Sequence, residues 1–239
     1  MNIEAIIFDK DGTLIDFDAF WVTVSVRAIE DVLKRFDKDC GVAVSRILEE
    51  LGVHNGATDI NGILCQGTYE QIGCVIYKIL KESECKVSCN EVVEAVVYAY
   101  NKNFEAGEVK PTCRDLIEIL TELKRRNKKL AVVTTDNELM THKCLKALGV
   151  ELLFDKIYTD DGKTPTKPNP YCVFDFCEFA GVEKERMVMV GDTITDVDFA
   201  RNAGIAMIGF AKNGKNKSIL WSATNTVISE MSQLLDILQ

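Results

Sequence analysis

The sequence predicts an α/β protein: a Rossmann-like parallel sheet with helices on both faces, interrupted by an α-helical insertion. Two observations lead to this fold class. From residue 112 onward, apolar runs of strand length alternate with helical patterns, which is typical of βαβ units and a parallel sheet. Between the first apolar run and residue 109, apolar residues recur at helical spacing and no comparable strand occurs.

The predicted first strand, residues 3–8, is an apolar run that ends at Asp9. Residues two apart on an extended chain point to the same side, so we expect Asp9 and Asp11 to converge beyond this strand. Ligands of open α/β sheets bind at the carboxyl ends of the strands. Two adjacent carboxylates repel each other, so the pair indicates a bound cation or a shared proton. The sequence leaves open whether Lys10 faces solvent or this site.

The stretch from residue 16 to 109 is predicted to be a separate helical domain, while residues 1–15 and 110–239 form the α/β domain. Phe20, Val24 and Ala28 lie on one face of the first predicted helix of the insertion. The helices expected in the insertion cover residues 19–36, 42–51, 68–81 and 89–104.

The second half of the chain alternates between the two kinds of element. The expected strands cover residues 130–134, 154–158, 187–190, 205–209 and, more weakly, 226–228. The expected helices cover residues 112–126, 137–148, 170–180, 195–203 and 229–238.

Polar residues follow these apolar strands or precede the helices, and a parallel sheet would gather them at one edge. Thr134 and Thr135 end the strand that begins at Leu130, and Lys167 precedes a proline turn. Asp192 and Asp196 come after the strand 187–190. Together with the first aspartate pair, these groups have the chemistry needed to bind a divalent cation and a phosphoryl group.

In their order and spacing, the polar segments resemble the four motifs of the haloacid dehalogenase superfamily, and the chain looks most like its members similar to phosphoglycolate phosphatase. The resemblance covers residues 1–15 and 110–239. The four segments are Asp9-Lys10-Asp11-Gly12-Thr13, Thr134-Thr135, Lys167-Pro168-Asn169-Pro170 and Gly191-Asp192-Thr193-Ile194-Thr195-Asp196.

The resemblance implies a role for each of four residues in phosphoryl transfer. Asp9 would attack phosphorus and form an aspartyl-phosphate. Asp11 would protonate the leaving oxygen and then deprotonate the water that hydrolyses the intermediate. Thr134 and Lys167 would bind the phosphoryl oxygens.

The resemblance also implies a magnesium site. Asp192 would ligate Mg²⁺ together with the Asp9 carboxylate and the Asp11 backbone carbonyl, and Asp196 would complete the site directly or through water. Mn²⁺ accepts the same oxygen ligands, so the donor set does not distinguish the two ions. Asp196 has a second interpretation, as an acidic residue that stabilises the first turn of a helix.

Two further choices between neighbours stay open at the level of sequence. The residue directly after the strand, Thr134, is favoured over Thr135, which would contact substrate or end the strand. Lys167 is favoured over Lys163 in the same loop because of its Lys-Pro-Asn-Pro context.

In this superfamily an insertion between the first two motifs is a helical cap that covers the active site and selects the substrate. The segment 61–68 is the candidate for reaching the leaving group, and Gln66 and Thr68 are the expected substrate-binding residues there. The alternative interpretation of this segment is a plain connection between helices.

The predicted activity is Mg²⁺-dependent hydrolysis of a small organic phosphate monoester, similar to phosphoglycolate. Asp11 argues against dehalogenation, because the dehalogenases of the superfamily lack the second aspartate. The alternatives are a phosphomutase resembling β-phosphoglucomutase, an enzyme like phosphonoacetaldehyde hydrolase, which would need a lysine in the cap, and, least favoured, a non-catalytic scaffold.

Composition limits the partners. The 239-residue chain has a net charge of −9, which argues against nucleic-acid or membrane binding through a basic face. The start of the sequence shows no cleavable leader pattern, so we expect a cytoplasmic protein. The expected partner is a small phosphorylated metabolite, and the expected state is a monomer or a homodimer.

Overall fold

A computed structural model of the chain describes residues 2–36, 41–212 and 214–238. The chain divides into two compact units. The first comprises Met1–Asp16 and Val109–Gln239, and the second comprises Phe17–Glu108. The boundaries expected from the sequence differ from these by one residue. The assignment of the two units as a catalytic core and a cap stays a prediction.

The regular elements alternate in the first unit and are mostly helical in the second. The strands are β1 (Ala5–Phe8), β2 (Val53–His54), β3 (Ala57–Thr58), β4 (Lys129–Asn137), β5 (Lys156–Asp160), β6 (Met187–Gly191), β7 (Ala206–Phe210) and β8 (Val227–Ile228). The α-helices are α1 (Thr23–Phe36), α2 (Val44–Glu50), α3 (Ile63–Gln66), α4 (Tyr69–Glu82), α5 (Cys89–Asn103), α6 (Leu116–Arg125), α7 (Glu138–Ala147), α8 (Tyr171–Ala180), α9 (Ile194–Ala203), α10 (Gly214–Trp221) and α11 (Leu234–Ile237).

The first unit is built on a six-stranded sheet in the order β5-β4-β1-β6-β7-β8, and each neighbouring pair of strands is parallel. β1 lies near the centre, where Ile7 is in register with Ala131 of β4 and with Met189 of β6. Because the three central strands run the same way, residues that follow them meet at one edge of the sheet.

Both faces of this sheet are covered, as the predicted fold class requires. Ala5 and Ile7 lie in an apolar cluster with residues of α8 and α9, including Phe176. Ile6 and Phe8 point to the opposite face and are also fully buried, and the Phe8 ring lies 6.2 Å from that of Phe154. A strand that is buried on both faces has apolar residues at every position. For this reason β1 could be predicted from the sequence.

In the second unit, α5 packs against both α1 and α4. The buried Tyr100 hydroxyl of α5 donates a hydrogen bond to Ser25 Oγ of α1 at 3.0 Å, which satisfies both polar groups. α5 begins at a capping box, in which Ser88 and Glu91 bond each other's backbone N–H groups.

The structure differs from the sequence predictions in four places. The segment expected as a loop, 61–68, contains the short helix α3, and the helix expected at 229–238 consists of a 3-10 turn followed by the four-residue α11. α10 and the β2–β3 hairpin were not predicted. The sequence of α10 has no amphipathic period, and the hairpin strands are two residues each, too short for a periodic signal. The hairpin turn, Asn55-Gly56 with both φ angles positive, is nevertheless a strong hairpin signal.

The core on the α8 side of the sheet can be tested with two phenylalanines of one helix. We expect Phe176→Ala to lower the free energy of unfolding by about 3–5 kcal/mol, because this fully buried side chain would leave a cavity. Phe174 is half exposed, so Phe174→Ala should stay within about 0.5 kcal/mol of the native protein. Urea unfolding measures both changes, and equal losses in the two variants would contradict this packing.

Candidate active site

Three adjacent strands position the residues singled out in the sequence. Asp9 follows β1, Thr134 lies in β4, and Asp192 follows β6. Asp196 belongs to the first turn of α9, which begins just after β6. The parallel sheet therefore brings together residues that are far apart in the chain.

Three of the carboxylates form a compact cluster at this edge. One ligand oxygen from each of Asp9, Asp192 and Asp196 lies within 4.8 Å of the others. Asp9 and Asp196 are buried, and Asp192 is partly buried. The Lys167 ammonium contacts Asp9 Oδ1 and donates to Asp196 Oδ1 at 2.7 Å. The cluster thus holds three acids with one lysine between two of them.

The protonation of these groups reflects burial and like charge. Burial raises the pKa of Asp9 to about 7, the Asp196 and Asp11 carboxylates add to the rise, and Lys167 opposes it. Burial, Asp9 and Asp196 raise the pKa of Asp192 well above its ordinary value. Burial alone would lower the pKa of Lys167, but the Asp196 and Asp9 carboxylates raise it above the ordinary value, so the lysine stays charged.

The donor set fits a hard divalent cation. Asp9, Asp192 and Asp196 offer only oxygen ligands, which Mg²⁺ and Mn²⁺ prefer. Burial is the largest cause of the raised pKa values of Asp9 and Asp192, neighbouring carboxylates add to the rise, and Lys167 only partly opposes it. A divalent cation bound here would favour the ionised carboxylates.

Thr13 bonds Asp192 and Gly12 leaves room for its carboxylate, and sequence reasoning assigned neither of them a role. The Thr13 hydroxyl donates to Asp192 Oδ1 at 3.1 Å. Gly12 has a φ of +84°, and a Cβ atom there would lie 2.1 Å from Asp192 Oδ2. A side chain at residue 12 would therefore displace the carboxylate. The feature of the sequence that could have indicated these roles is the Gly-Thr pair directly after the two aspartates.

Asp196 serves its helix as well as the cluster. Its Oδ2 accepts a hydrogen bond from the Thr193 backbone N–H at 3.1 Å, and its own backbone N–H donates to Thr193 Oγ1 at 3.3 Å. This capping box fixes the start of α9. The other oxygen of Asp196 accepts from Lys167. The interpretation as an acidic residue at the helix start therefore describes a real contact, and the interpretation as a metal ligand stays a prediction.

The structure also separates the residues between which the sequence left a choice. Thr134 is buried and its hydroxyl accepts from the Asp136 backbone N–H at 3.1 Å, whereas Thr135 is exposed. Lys167 is buried against the carboxylates, whereas Lys163 is exposed. Thr134 and Lys167 are therefore the buried members of each pair, and Lys167 contacts Asp9 and Asp196. Their roles in binding phosphate stay predictions.

Lys10 is buried rather than solvent-facing. Its ammonium donates to Asp11 Oδ1 at 2.8 Å and lies 3.1 Å from Asp136 Oδ2. Sequence reasoning did not single out Asp136, although it lies only two positions after Thr134 and its carboxylate is close to the Lys10 ammonium.

Gln66 and Thr68 belong to the helical unit, and both make local contacts there. Gln66 Nε2 donates to the Ile60 backbone carbonyl at 2.6 Å. The Thr68 hydroxyl caps α4 by accepting from the Gln71 backbone N–H at 3.3 Å. Substrate binding by these two residues stays a prediction.

Comparison with known proteins gives this site a family. The family profile of haloacid dehalogenase-like hydrolases matches residues 3–204, which is most of the chain. The chain belongs to the haloacid dehalogenase-like hydrolases.

This hydrolase has relatives with phosphatase names. It is 28% identical over 216 residues to a phosphoglycolate phosphatase of Aquifex aeolicus, covering 88% of this chain and 87% of the relative. It is 32% identical over 151 residues to the pyrophosphatase PpaX of Halalkalibacterium halodurans, covering 62% and 70%. The solved structure of a predicted phosphoglycolate phosphatase from Haemophilus somnus superimposes with a TM-score of 0.72 at 19% identity, covering 100% and 99%. That last likeness shows the fold alone.

These comparisons confirm the predicted family and fold class and the expected kind of enzyme, a phosphatase of the haloacid dehalogenase superfamily. Among the described residues, no helix is both long and apolar enough to cross a membrane.

The carboxylate cluster predicts a metal-dependent rise in thermal stability. A chelator first removes any bound metal. Adding Mg²⁺ at about 100 times its Kd should then raise the Tm by about 5–10 °C, because the ion binds only the folded protein. Asp192→Asn should remove most of that rise, because it deletes a charged ligand. Asp198→Asn is the matched control, since Asp198 is an exposed carboxylate of α9 that pairs with Arg201. Differential scanning fluorimetry measures the shift, and an equal response in both variants would rule out the assigned ligands.

Proposed function

We propose that the chain is a Mg²⁺-dependent phosphatase that hydrolyses a small organic phosphate monoester through an aspartyl-phosphate on Asp9. The observation that carries this proposal is the buried contact between Asp9 and Lys167 inside a cluster of three carboxylates. A nucleophilic carboxylate that attacks an anionic substrate needs nearby positive charge. Here the Lys167 ammonium and a cation held by the carboxylates would supply that charge.

In the first step, a carboxylate oxygen of Asp9 attacks phosphorus, and the bond from phosphorus to the ester oxygen breaks. Asp11 donates a proton to that oxygen, so the leaving group departs as an alcohol. The Lys167 ammonium binds a phosphoryl oxygen. The Thr134 hydroxyl accepts from the Asp136 backbone N–H, and its own hydrogen can be donated to a second phosphoryl oxygen.

In the second step, a water oxygen attacks phosphorus and the bond to Asp9 breaks, which releases inorganic phosphate. Asp11 now takes the proton that the water loses, so its protonation returns to the starting state. One residue thus acts as general acid and then as general base. Catalysis of this kind contributes roughly two to four orders of magnitude in rate.

The metal would be held by Asp9, Asp192 and Asp196, with the Asp11 backbone carbonyl as a further oxygen ligand. When bound, Mg²⁺ supplies charge that neutralises the transferring phosphoryl group. Thr13 and Gly12 keep the Asp192 carboxylate in place for this role.

The proposed substrate is small and resembles phosphoglycolate, because relatives that align with most of this chain carry that substrate in their names. We assign substrate choice to the helical unit, with Gln66 and Thr68 as the first residues to test. The proposed location is the cytoplasm.

A panel of phosphate compounds tests the activity directly. We expect the purified protein to release phosphate from phosphoglycolate or a similar small ester with Mg²⁺, and to lose this activity with a chelator. Sugar phosphates, pyrophosphate and a phosphonate with a carbon–phosphorus bond complete the panel. Conversion of a sugar phosphate to its isomer without phosphate release would contradict hydrolysis and favour a mutase, and cleavage of the phosphonate would contradict the ester specificity.

Two variants test the assigned chemistry. Asp9→Asn should reduce turnover below detection, because an amide is a far weaker nucleophile than a carboxylate. Asp11→Asn should lower kcat by about 10²–10⁴-fold, because it removes the proton carrier. Intact-protein mass spectrometry of a quenched reaction should show one added phosphoryl group when Asp9 is present and none in Asp9→Asn.

Asp198→Asn is again the control and should keep wild-type turnover. Normal turnover in Asp9→Asn would show that the nucleophile is misassigned.

A further inference from the structure

The most unusual group in the first unit outside the assigned machinery is the side chain of Lys10. In the sequence, Lys10 stands between the two aspartates of the first motif. In the structure, 0% of its surface is exposed. A lysine is almost never fully buried unless its charge is paired, because removing an ammonium from water costs several kcal/mol. The role of Lys10 therefore depends on the carboxylates that its ammonium contacts.

The ammonium lies against both oxygens of one carboxylate. Lys10 Nζ is 2.8 Å from Asp11 Oδ1 and 2.7 Å from Asp11 Oδ2. It is also 3.1 Å from Asp136 Oδ2. The Asp11 side chain is 17% exposed and that of Asp136 is 12% exposed, so water screens these pairs weakly.

Asp136 is itself held in place by the backbone of β4. Its Oδ1 accepts from the Asn137 backbone N–H at 2.9 Å, and its own N–H donates to Thr134 Oγ1 at 3.1 Å. A continuous set of contacts thus runs from Thr134 through Asp136 and Lys10 to Asp11. This set joins β4 to the loop after β1.

We propose that Lys10 and Asp136 are positioning residues that hold the Asp11 carboxylate for its two proton transfers. The inference rests on the proposed function, in which Asp11 serves one step as acid and the next as base. Both transfers need the same oxygen within hydrogen-bond reach of the reacting atoms, and a shift of about 1 Å can cost 10²-fold in rate. A buried ammonium against both oxygens restricts that shift, and Asp136 fixes the ammonium from the other side.

The competing explanation is that Lys10 only offsets the charge of two buried acids and stabilises the fold. The two explanations differ in kinetics. A positioning role lowers kcat and leaves KM nearly unchanged, because Lys10 is buried and touches no substrate. It also makes Asp136 act through Lys10, so the two substitutions should not be additive.

The experiment measures kcat and KM with Mg²⁺ on phosphoglycolate, whose alkoxide leaving group needs the proton from Asp11, for Lys10→Met, Asp136→Asn and the double variant. We expect Lys10→Met to lower kcat about 10–100-fold with KM within about twofold of the wild type. Asp136→Asn should lower kcat by about 3–10-fold, and it should have no further effect in the Lys10→Met background.

Lys124→Met is the matched control. Lys124 forms a partly buried pair with Asp155 at 2.6 Å in the same unit, and neither residue belongs to the site. This variant should keep wild-type kcat. Thermal melts of every variant establish that the folded protein is being measured.

Several outcomes overturn the inference. A folded Lys10→Met with kcat within about twofold of the wild type would do so, as would a rise in KM alone or fully additive losses. If Lys10→Met does not fold, Asp136→Asn decides, and an unchanged kcat in that variant rejects the positioning role. Turnover that survives Asp9→Asn would instead refute the proposed function, so the two failures can be told apart.

Discussion

The gathering of several carboxylates at one edge of a parallel sheet is the constraint on which the rest of the site depends. Asp9, Asp192 and Asp196 lie so close together because β1 and β6 are neighbours in the sheet and α9 begins where β6 ends. Like charges at this separation, out of water, are unfavourable. The fold keeps them there by inserting the Lys167 ammonium, and the remaining excess of negative charge is what a divalent cation would offset.

A second ion pair follows from the same constraint. Asp9 and Asp11 are two residues apart, yet each has its own lysine: Lys167 arrives from a loop more than 150 residues away, and Lys10 lies between the two aspartates. The environments differ, because Asp9 is more deeply buried than Asp11. In the proposed mechanism the two carboxylates have different tasks, and separate partners of opposite charge allow that division.

Glycines beside the acids leave the space that the carboxylate side chains need. Gly12 leaves the space in which the Asp192 carboxylate lies, and the hydroxyl of Thr13 bonds that carboxylate. Gly191 does the same for Asp196, since a Cβ there would lie 2.5 Å from the Asp196 Cγ. The packing around the acids is therefore as specific as the acids themselves.

The sequence by itself determined the alternation of strands and helices, the helical insertion and most of the charged residues of the site, because apolar runs of strand length end in Asp9, Thr134 and Asp192. It missed α10 and the β2–β3 hairpin, whose sequences carry no periodic signal. Only the tertiary structure decided that Thr134 and Lys167 are buried while Thr135 and Lys163 are exposed, that Lys10 is buried, and that Asp136 lies beside it. The reason is physical: these facts depend on which strands are neighbours and on which side chains lose contact with water, and neither is encoded in local spacing.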